Sequence, residues 1–210
     1  MFIRGHFSIQ GKGQVEIGDY CSFVADNGIP NKILTKDSSA RITIGNHCSF
    51  HGAMAIEGKG HIEVGNDCSF ATYAGSSNKI VIVPESSARI TIGDYCSFNG
   101  VTILANTSIE FKRKCLVSDA LIIDTDFHSV EINRLEPSVK PKTKPVYIDE
   151  NAWIGSRSVI LKGVSICKNS VVGLGTIVRQ SVPDNVVVIG NPQKIVKELD
   201  TTILPRSVER

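Results

Sequence analysis

The feature that most constrains this chain is a pair of small or apolar residues, two apart, that returns every six positions. From residue 146 the pairs run Val146/Ile148, Ala152/Ile154, Ser158/Ile160, Val164/Ile166, Ser170/Val172 and Thr176/Val178. Period two places both members of a pair on one face of a short strand, and the residues between pairs suffice only for a corner. A strand and a corner repeated in this way predict a triangular solenoid, with three strands to a coil of about 18 residues. Upstream the same beat runs through Ile103/Ala105, Ile109/Phe111, Cys115/Val117, Leu121/Ile123 and Phe127/Ser129. His128 falls between the last two, so it is expected on an outer face. Residues 5 to 190 accommodate about eight coils, and each must stack on its neighbours to bury its inner face.

Repeats fill most of the 210 residues, and nothing among them reads as a linker. One solenoid domain, 1–194, is therefore expected, followed by a tail, 195–210, in which Ile195-Val196-Lys197-Glu198-Leu199 is read as a short helix closing the open end. A net charge of +2 is too mild to argue for nucleic acid. No apolar run approaches the roughly 20 residues of a membrane helix. The first residues, Met-Phe-Ile-Arg-Gly-His, show no export signal. These features lead to the expectation of a soluble, cytoplasmic protein.

The cysteines follow the beat rather than a disulfide framework. Ile17-Gly18-Asp19-Tyr20-Cys21-Ser22-Phe23 recurs around Cys48, Cys68 and Cys96, each followed by Ser and Phe, and Cys115 takes the same slot one coil later. All five are predicted to stack inward as reduced thiols. Phe23, Phe50, Phe70 and Phe98 should form a parallel aromatic column. Repeat spacings longer than a coil mark excursions at 24–38, 72–79 and 84–88. The largest break, 130–145, ends in a segment with three prolines and three lysines, which suits a protruding loop rather than a strand.

Ala152-Trp153-Ile154-Gly155, Ile160-Leu161-Lys162-Gly163-Val164 and Gly190-Asn191-Pro192 resemble the hexapeptide-repeat acyltransferases. Asp124-Thr125-Asp126-Phe127-His128, then a loop, then Trp153, resembles the order in sugar O-acetyltransferases that modify capsule, O-antigen or polysialic acid. That resemblance implies an all-β, left-handed parallel β-helix. It further implies a homotrimer, with acetyl-CoA held between subunits and a saccharide as acceptor. The chain departs from the family pattern at Gln193, where alanine is usual, and at Cys167.

Acyl transfer to a hydroxyl needs a base and an oxyanion donor. His128 is the candidate base, since imidazole titrates near working pH, and Asp124 and Asp126 are candidates to orient its ring. Trp153 shares the phase of His128, and a separation of one coil plus an excursion predicts that it stacks above His128 on the same outer face. Its indole N–H is a candidate donor. Gly155, Gly173 and Gly175 would let coenzyme A approach the backbone, with Thr176 beside them and Lys162 and Lys194 as phosphate partners. Lys140, Lys142 and Lys144 are candidates for an acidic acceptor. No metal cluster is expected. An N-acetyltransferase and a non-catalytic solenoid remain as alternatives, the second disfavoured by the His–loop–Trp arrangement.

Overall fold

In the computed structural model, which describes residues 1–25, 30–72, 76–83 and 88–202, the chain winds into a triangular prism of stacked short strands. Its three faces are sheets of ten, eight and seven strands. Along each face every strand pairs in parallel with the strand one coil away, until the end of the ten-stranded face, where Lys194–Glu198 runs antiparallel to Val186–Ile189. The segment read as a closing helix is thus a strand. Ile195 and Val196 are β-branched and favour extended backbone, and Gly190 at φ 92° turns the chain back along the edge.

The inward beat holds through the upper coils: all six pairs from Val146/Ile148 to Thr176/Val178 are buried. The five predicted thiols are also buried. Cys21, Cys48, Cys68 and Cys96 each donate to a backbone carbonyl of the next coil at 3.1–3.2 Å. Phe23, Phe50, Phe70 and Phe98 stack at 4.6–5.0 Å with rings within 7° of parallel, and Phe111 closes the column edge-on at 5.2 Å.

Between Val117 and the loop the expected register slips by one. The inward residues are Ala120 and Ile122, not Leu121 and Ile123. The corner after Val117 is one residue tighter than those above and turns through Asp119 at φ 41°. Phe127 is consequently exposed, with φ 60°, rather than inward. The expected excursion 24–38 also holds a regular strand, Asn31–Thr35, with Asn31, Ile33 and Thr35 inward. Residues 26–29 of it lie outside the described residues, as do 73–75 and 84–87 of the two shorter excursions.

Candidate active site

After Leu121–Ile123 on the eight-stranded face, the chain lays no further strand until Val146–Ile148 on the seven-stranded face. Residues 124–145 leave the prism at the edge between those faces. Their root is a short antiparallel pairing: Thr125 bridges Thr143, Asp126 N–H donates to Lys142 O at 3.1 Å, and Lys144 N–H donates to Asp124 O at 2.9 Å. His128 stands two residues beyond this root, exposed, its own N–H donating to Asp126 O at 2.6 Å.

The aspartates hold the loop instead of the imidazole. Asp124 is fully buried, and its carboxylate accepts from the N–H groups of Asn106, Thr107 and Ser108 and from the Thr107 hydroxyl, at 2.7–2.9 Å. Every acceptor site of that carboxylate faces the corner of the coil beneath, so none is left for His128. Asp126 pairs with Lys162, Oδ1 to Nζ 2.5 Å. Lys162 thereby braces the loop root, on a different edge from Gly155 and Gly173.

Trp153 does not stack above His128. It lies on the ten-stranded face, in register with Leu116 below and Val171 above, whereas His128 lies on the opposite edge of the eight-stranded face. The spacing count failed because the excursion runs from 124 to 145, not over seven residues. Trp153 is half exposed (50%) and overhangs a cleft of about 240 Å³ lined by Ser118, Gly155, Ser156, Gly173 and Leu174 among others.

Gly155 and Gly173 form the cleft floor. A Cβ on Gly155 would sit 2.9 Å from Leu174 N and Val172 O, and one on Gly173 would sit 2.6 Å from Ile189 Cγ2. The floor is braced from inside: Gly173 O accepts from Ser158 Oγ at 3.0 Å and Thr176 Oγ1 at 2.6 Å. Thr176 is buried and also accepts Gly190 N–H at 3.1 Å, so it supports the floor and cannot touch a ligand. Gly175 turns the next corner at φ 70°, with open space on its Cβ side. Lys194 is exposed beside Ile189 at the top of the same face. Lys140, Lys142 and Lys144 are exposed on the returning arm of the loop.

One feature was not singled out from sequence, and one residue noted there as a departure finds its role. The outward column of the ten-stranded face changes from Ser22, Ser49, Ser69 and Ser97 to Leu116, Trp153, Val171 and Val187. The middle residue of each inward pair carries this signal. Gln193 ties the last corner, its Oε1 accepting Arg179 N–H at 2.7 Å and Gln180 N–H at 3.1 Å. Among the described residues there is no cluster of His, Cys, Asp and Glu suited to a metal, and no helix long and apolar enough to cross a membrane.

Residues 145–180 match the family described as hexapeptide repeat of succinyl-transferase. Galactoside O-acetyltransferases are similar over 100 residues: 35% identical in Lactococcus lactis, covering 48% of each chain, and 33% in Escherichia coli, covering 48% of this chain and 49% of that one. The match thus spans about half the length of these curated relatives. Among solved structures, the polySia-specific acetyltransferase NeuO superposes with a TM-score of 0.68 at 22% identity, over 97% of this chain and 91% of that one. A hexapeptide-repeat acetyltransferase from Vibrio cholerae, solved with acetyl coenzyme A, gives 0.53 at 26% identity over 66% and 71%. The prism is a left-handed parallel β-helix.

Proposed function

From the hexapeptide-repeat match over residues 145–180 and the likeness to sugar O-acetyltransferases over about half of the chain, we propose that this chain is an acetyl-CoA-dependent O-acetyltransferase of the hexapeptide-repeat family, acting on a saccharide hydroxyl. The observation that carries the reading is the glycine-floored cleft under Trp153, on an outer face that turns apolar at the same height. A narrow trough with accessible backbone suits a thin pantetheine arm. The Vibrio cholerae neighbour was solved with acetyl coenzyme A, and the curated relatives are named as galactoside O-acetyltransferases.

The site is completed by a second subunit. Outward residues are apolar on the upper ten-stranded face, and also on the upper eight-stranded face at Leu121, Val159 and Ile177, while at that height the seven-stranded face shows Glu110, Tyr147 and Ser165. In a three-fold ring each subunit commands about 120°, but a triangular prism fills only about 60° of it at its corner. The ten-stranded face of one subunit and the eight-stranded face of the next therefore diverge into a groove. Trp153 lines one wall, and the partner's loop, carrying His128, stands at the outer lip of the other. Val130, Ile132 and Leu135 on that loop are 66%, 98% and 90% exposed in the single chain, as expected of side chains that pack on a neighbour.

In the reaction the neutral His128 imidazole takes the proton of the acceptor hydroxyl as its oxygen attacks the acetyl carbonyl. The carbon–sulfur bond breaks, and the imidazolium returns the proton to the coenzyme A sulfur. The Trp153 indole N–H, with the Ser118 and Ser156 hydroxyls that also line the cleft, is a donor for the carbonyl oxygen. Thiol release from acetyl-CoA, measured against a panel of saccharides, tests the whole reading. Release that depends on amines, with none for any saccharide, would overturn it.

A further inference from the structure

The edge between the seven- and ten-stranded faces carries side chains that folding does not require. Each coil turns this edge through one residue with φ between 55° and 63°. That residue donates its N–H to the coil below, as His47 to Asp19 O, Asp67 to Asn46 O and Tyr95 to Asn66 O, at 2.8–2.9 Å. In the upper coils the position holds Asn151, Asn169 and Asn185, and asparagine is among the side chains that tolerate this conformation best. Their amides form a ladder, Asn151 to Asn169 at 2.9 Å and Asn169 to Asn185 at 2.7 Å.

The lower coils put Tyr20, His47, Asp67 and Tyr95 in the same place. Bulky rings are costly in the left-handed region, and burial does not compensate. Tyr20 is 78% exposed and Tyr95 55%. The His47 ring stacks on Tyr20 at 5.2 Å and lies 3.6 Å from the Asp67 carboxylate. Asp and His, like Asn, are at home in this region, so the strain rests on Tyr20 and Tyr95; strain that the fold does not need, at two exposed rings on one line, marks a ligand surface.

We propose that this edge is a binding platform for a neutral saccharide chain, an inference that rests on the acceptor being a saccharide. Tyr20, His47 and Tyr95 offer aromatic surface to pyranose C–H faces, and Asp67 accepts sugar hydroxyls. Asp67 is the short side chain between two rings, so it floors a notch. His47 and Tyr95 are two coils apart, about 10 Å at the spacing of adjacent strands. Two van der Waals contacts take about 7–8 Å of that, which leaves room for one sugar ring.

Other occupants fit less well. A peptide strand finds no free backbone here, because the N–H groups of this edge already bond to the neighbouring coil or to Asn and Asp side chains such as Asn46 and Asp94. Asp19, Asp67 and Asp94 on one edge disfavour nucleic acid and acidic glycans. Tyr95 is two coils below Asn151, just beneath the coil that throws out the His128 loop. A chain held on the platform therefore has its end directed towards the level of the base.

The test replaces the rings with the residue the same column uses higher up. The Tyr20→Asn/Tyr95→Asn variant should melt no lower than wild type, since it relieves strain. Calorimetric titration without acetyl-CoA uses galacto- and gluco-oligosaccharides of graded length, with sialic acid oligomers as the acidic arm. Wild-type affinity should rise with the length of the neutral oligomers, and the variant should lose at least tenfold. In turnover the variant should lose kcat/KM for long acceptors while monosaccharide transfer and acetyl-CoA affinity stay unchanged. Equal oligosaccharide affinity in both proteins, no neutral binding by wild type, or binding of the acidic oligomers alone would each overturn the platform. Because the titration needs no turnover, saccharide binding without acetyl transfer would sink the proposed reaction and leave the platform standing.

Discussion

Replacing Asp124 tests whether the root of the loop is held by one buried carboxylate. Four donors converge on it: Asn106 N–H and Thr107 N–H at 2.7 Å, Ser108 N–H at 2.8 Å and the Thr107 hydroxyl at 2.9 Å. Hydrogen bonds to a charged acceptor contribute about 1.5–3 kcal/mol each. These donors are partly reached by water and share one acceptor group, so the lower end applies and the sum is not additive. Asp124→Ala should cost about 4 kcal/mol. Asp124→Asn keeps one acceptor oxygen but turns an amide N–H towards other donors, for about 2–3 kcal/mol. At roughly 2–4 °C per kcal/mol for a chain of this size, the alanine variant should melt about 8–16 °C lower. Hydrogen exchange at Asp126 and Lys144, whose N–H groups close the loop root, should accelerate in both variants. Melting within about 2 °C of wild type, with exchange at Lys144 unchanged, would mean that water satisfies this corner and that the clamp does not hold the loop.

Replacing His128 with Ala should lower kcat by about 10²–10⁴ while calorimetry finds acetyl-CoA affinity unchanged; near-normal turnover would remove it from the chemistry. Gly173→Ala meets the Ile189 γ-methyl at 2.6 Å and Val188 O at 3.4 Å, so the Ile189 side chain must shift; the variant should still fold, with a smaller loss of stability than Gly155→Ala, and lose about tenfold in acetyl-CoA affinity, about 1.4 kcal/mol. Gly155→Ala meets backbone and should cost about 1–3 kcal/mol of stability; the reverse order of effects would mean that the floor is misassigned. Bonding to the Cys115 thiol, with burial, pushes the Cys96 thiol up to about 12 from an ordinary 9.0. The unfolded chain therefore releases this proton first, and stability should be intact below pH 9 and decline as pH rises towards 12; rapid native thiol labelling at pH 8 or undiminished stability at pH 11 would contradict the column. If the proposed trimer forms, Ile132→Lys with Leu135→Lys should split it in sedimentation and reduce turnover with it; a wild-type monomer that is active, or a fully active trimeric variant, would free the loop from that role.

The fold was legible because burial in a solenoid repeats one small decision. Val146/Ile148 to Thr176/Val178 follow a fixed count, and so do the cysteine and phenylalanine columns. Counting fails wherever a corner changes length. The tight turn through Asp119 shifted Ala120 and Ile122 into the core, and with that shift the phase of His128 was lost. Trp153 was then placed on the wrong face, because the size of the excursion is not encoded in the beat that follows it. Thr176 is the opposite case: its own position in the beat already put it inside, which excludes contact with a coenzyme. Lys162 and Asp126 lie 36 positions apart, which on an unbroken beat of 18 residues per coil would set them two coils apart and out of contact. Their pairing exists only because the excursion begins at the edge where Lys162 stands one coil above.

Each strand triplet separates what the fold needs from what the surface can carry. In Cys115-Leu116-Val117, Ala152-Trp153-Ile154 and Ser170-Val171-Val172 the outer two residues of each triplet are buried and the middle one faces out. The middle residue is therefore nearly free of the core, and a column of such residues can change character at one coil without disturbing the stack. On the ten-stranded face this happens between Ser97 and Leu116, where a serine column becomes an apolar one. The loop that carries His128 leaves the prism in the coil that begins at Leu116, and the edge column changes from Tyr95 through Lys114 to asparagine over the same height. Two outer columns and the excursion of the loop thus change within about two coils of one another. The core columns change at this height as well: Phe98 is followed one coil up by Val117, and the slot of Cys115 passes to Ala152. Under the proposed reaction the change of columns divides the labour: an apolar, glycine-floored upper half would suit the donor and a neighbouring subunit, a polar lower half with exposed rings would suit the acceptor, and His128 stands where the two halves meet.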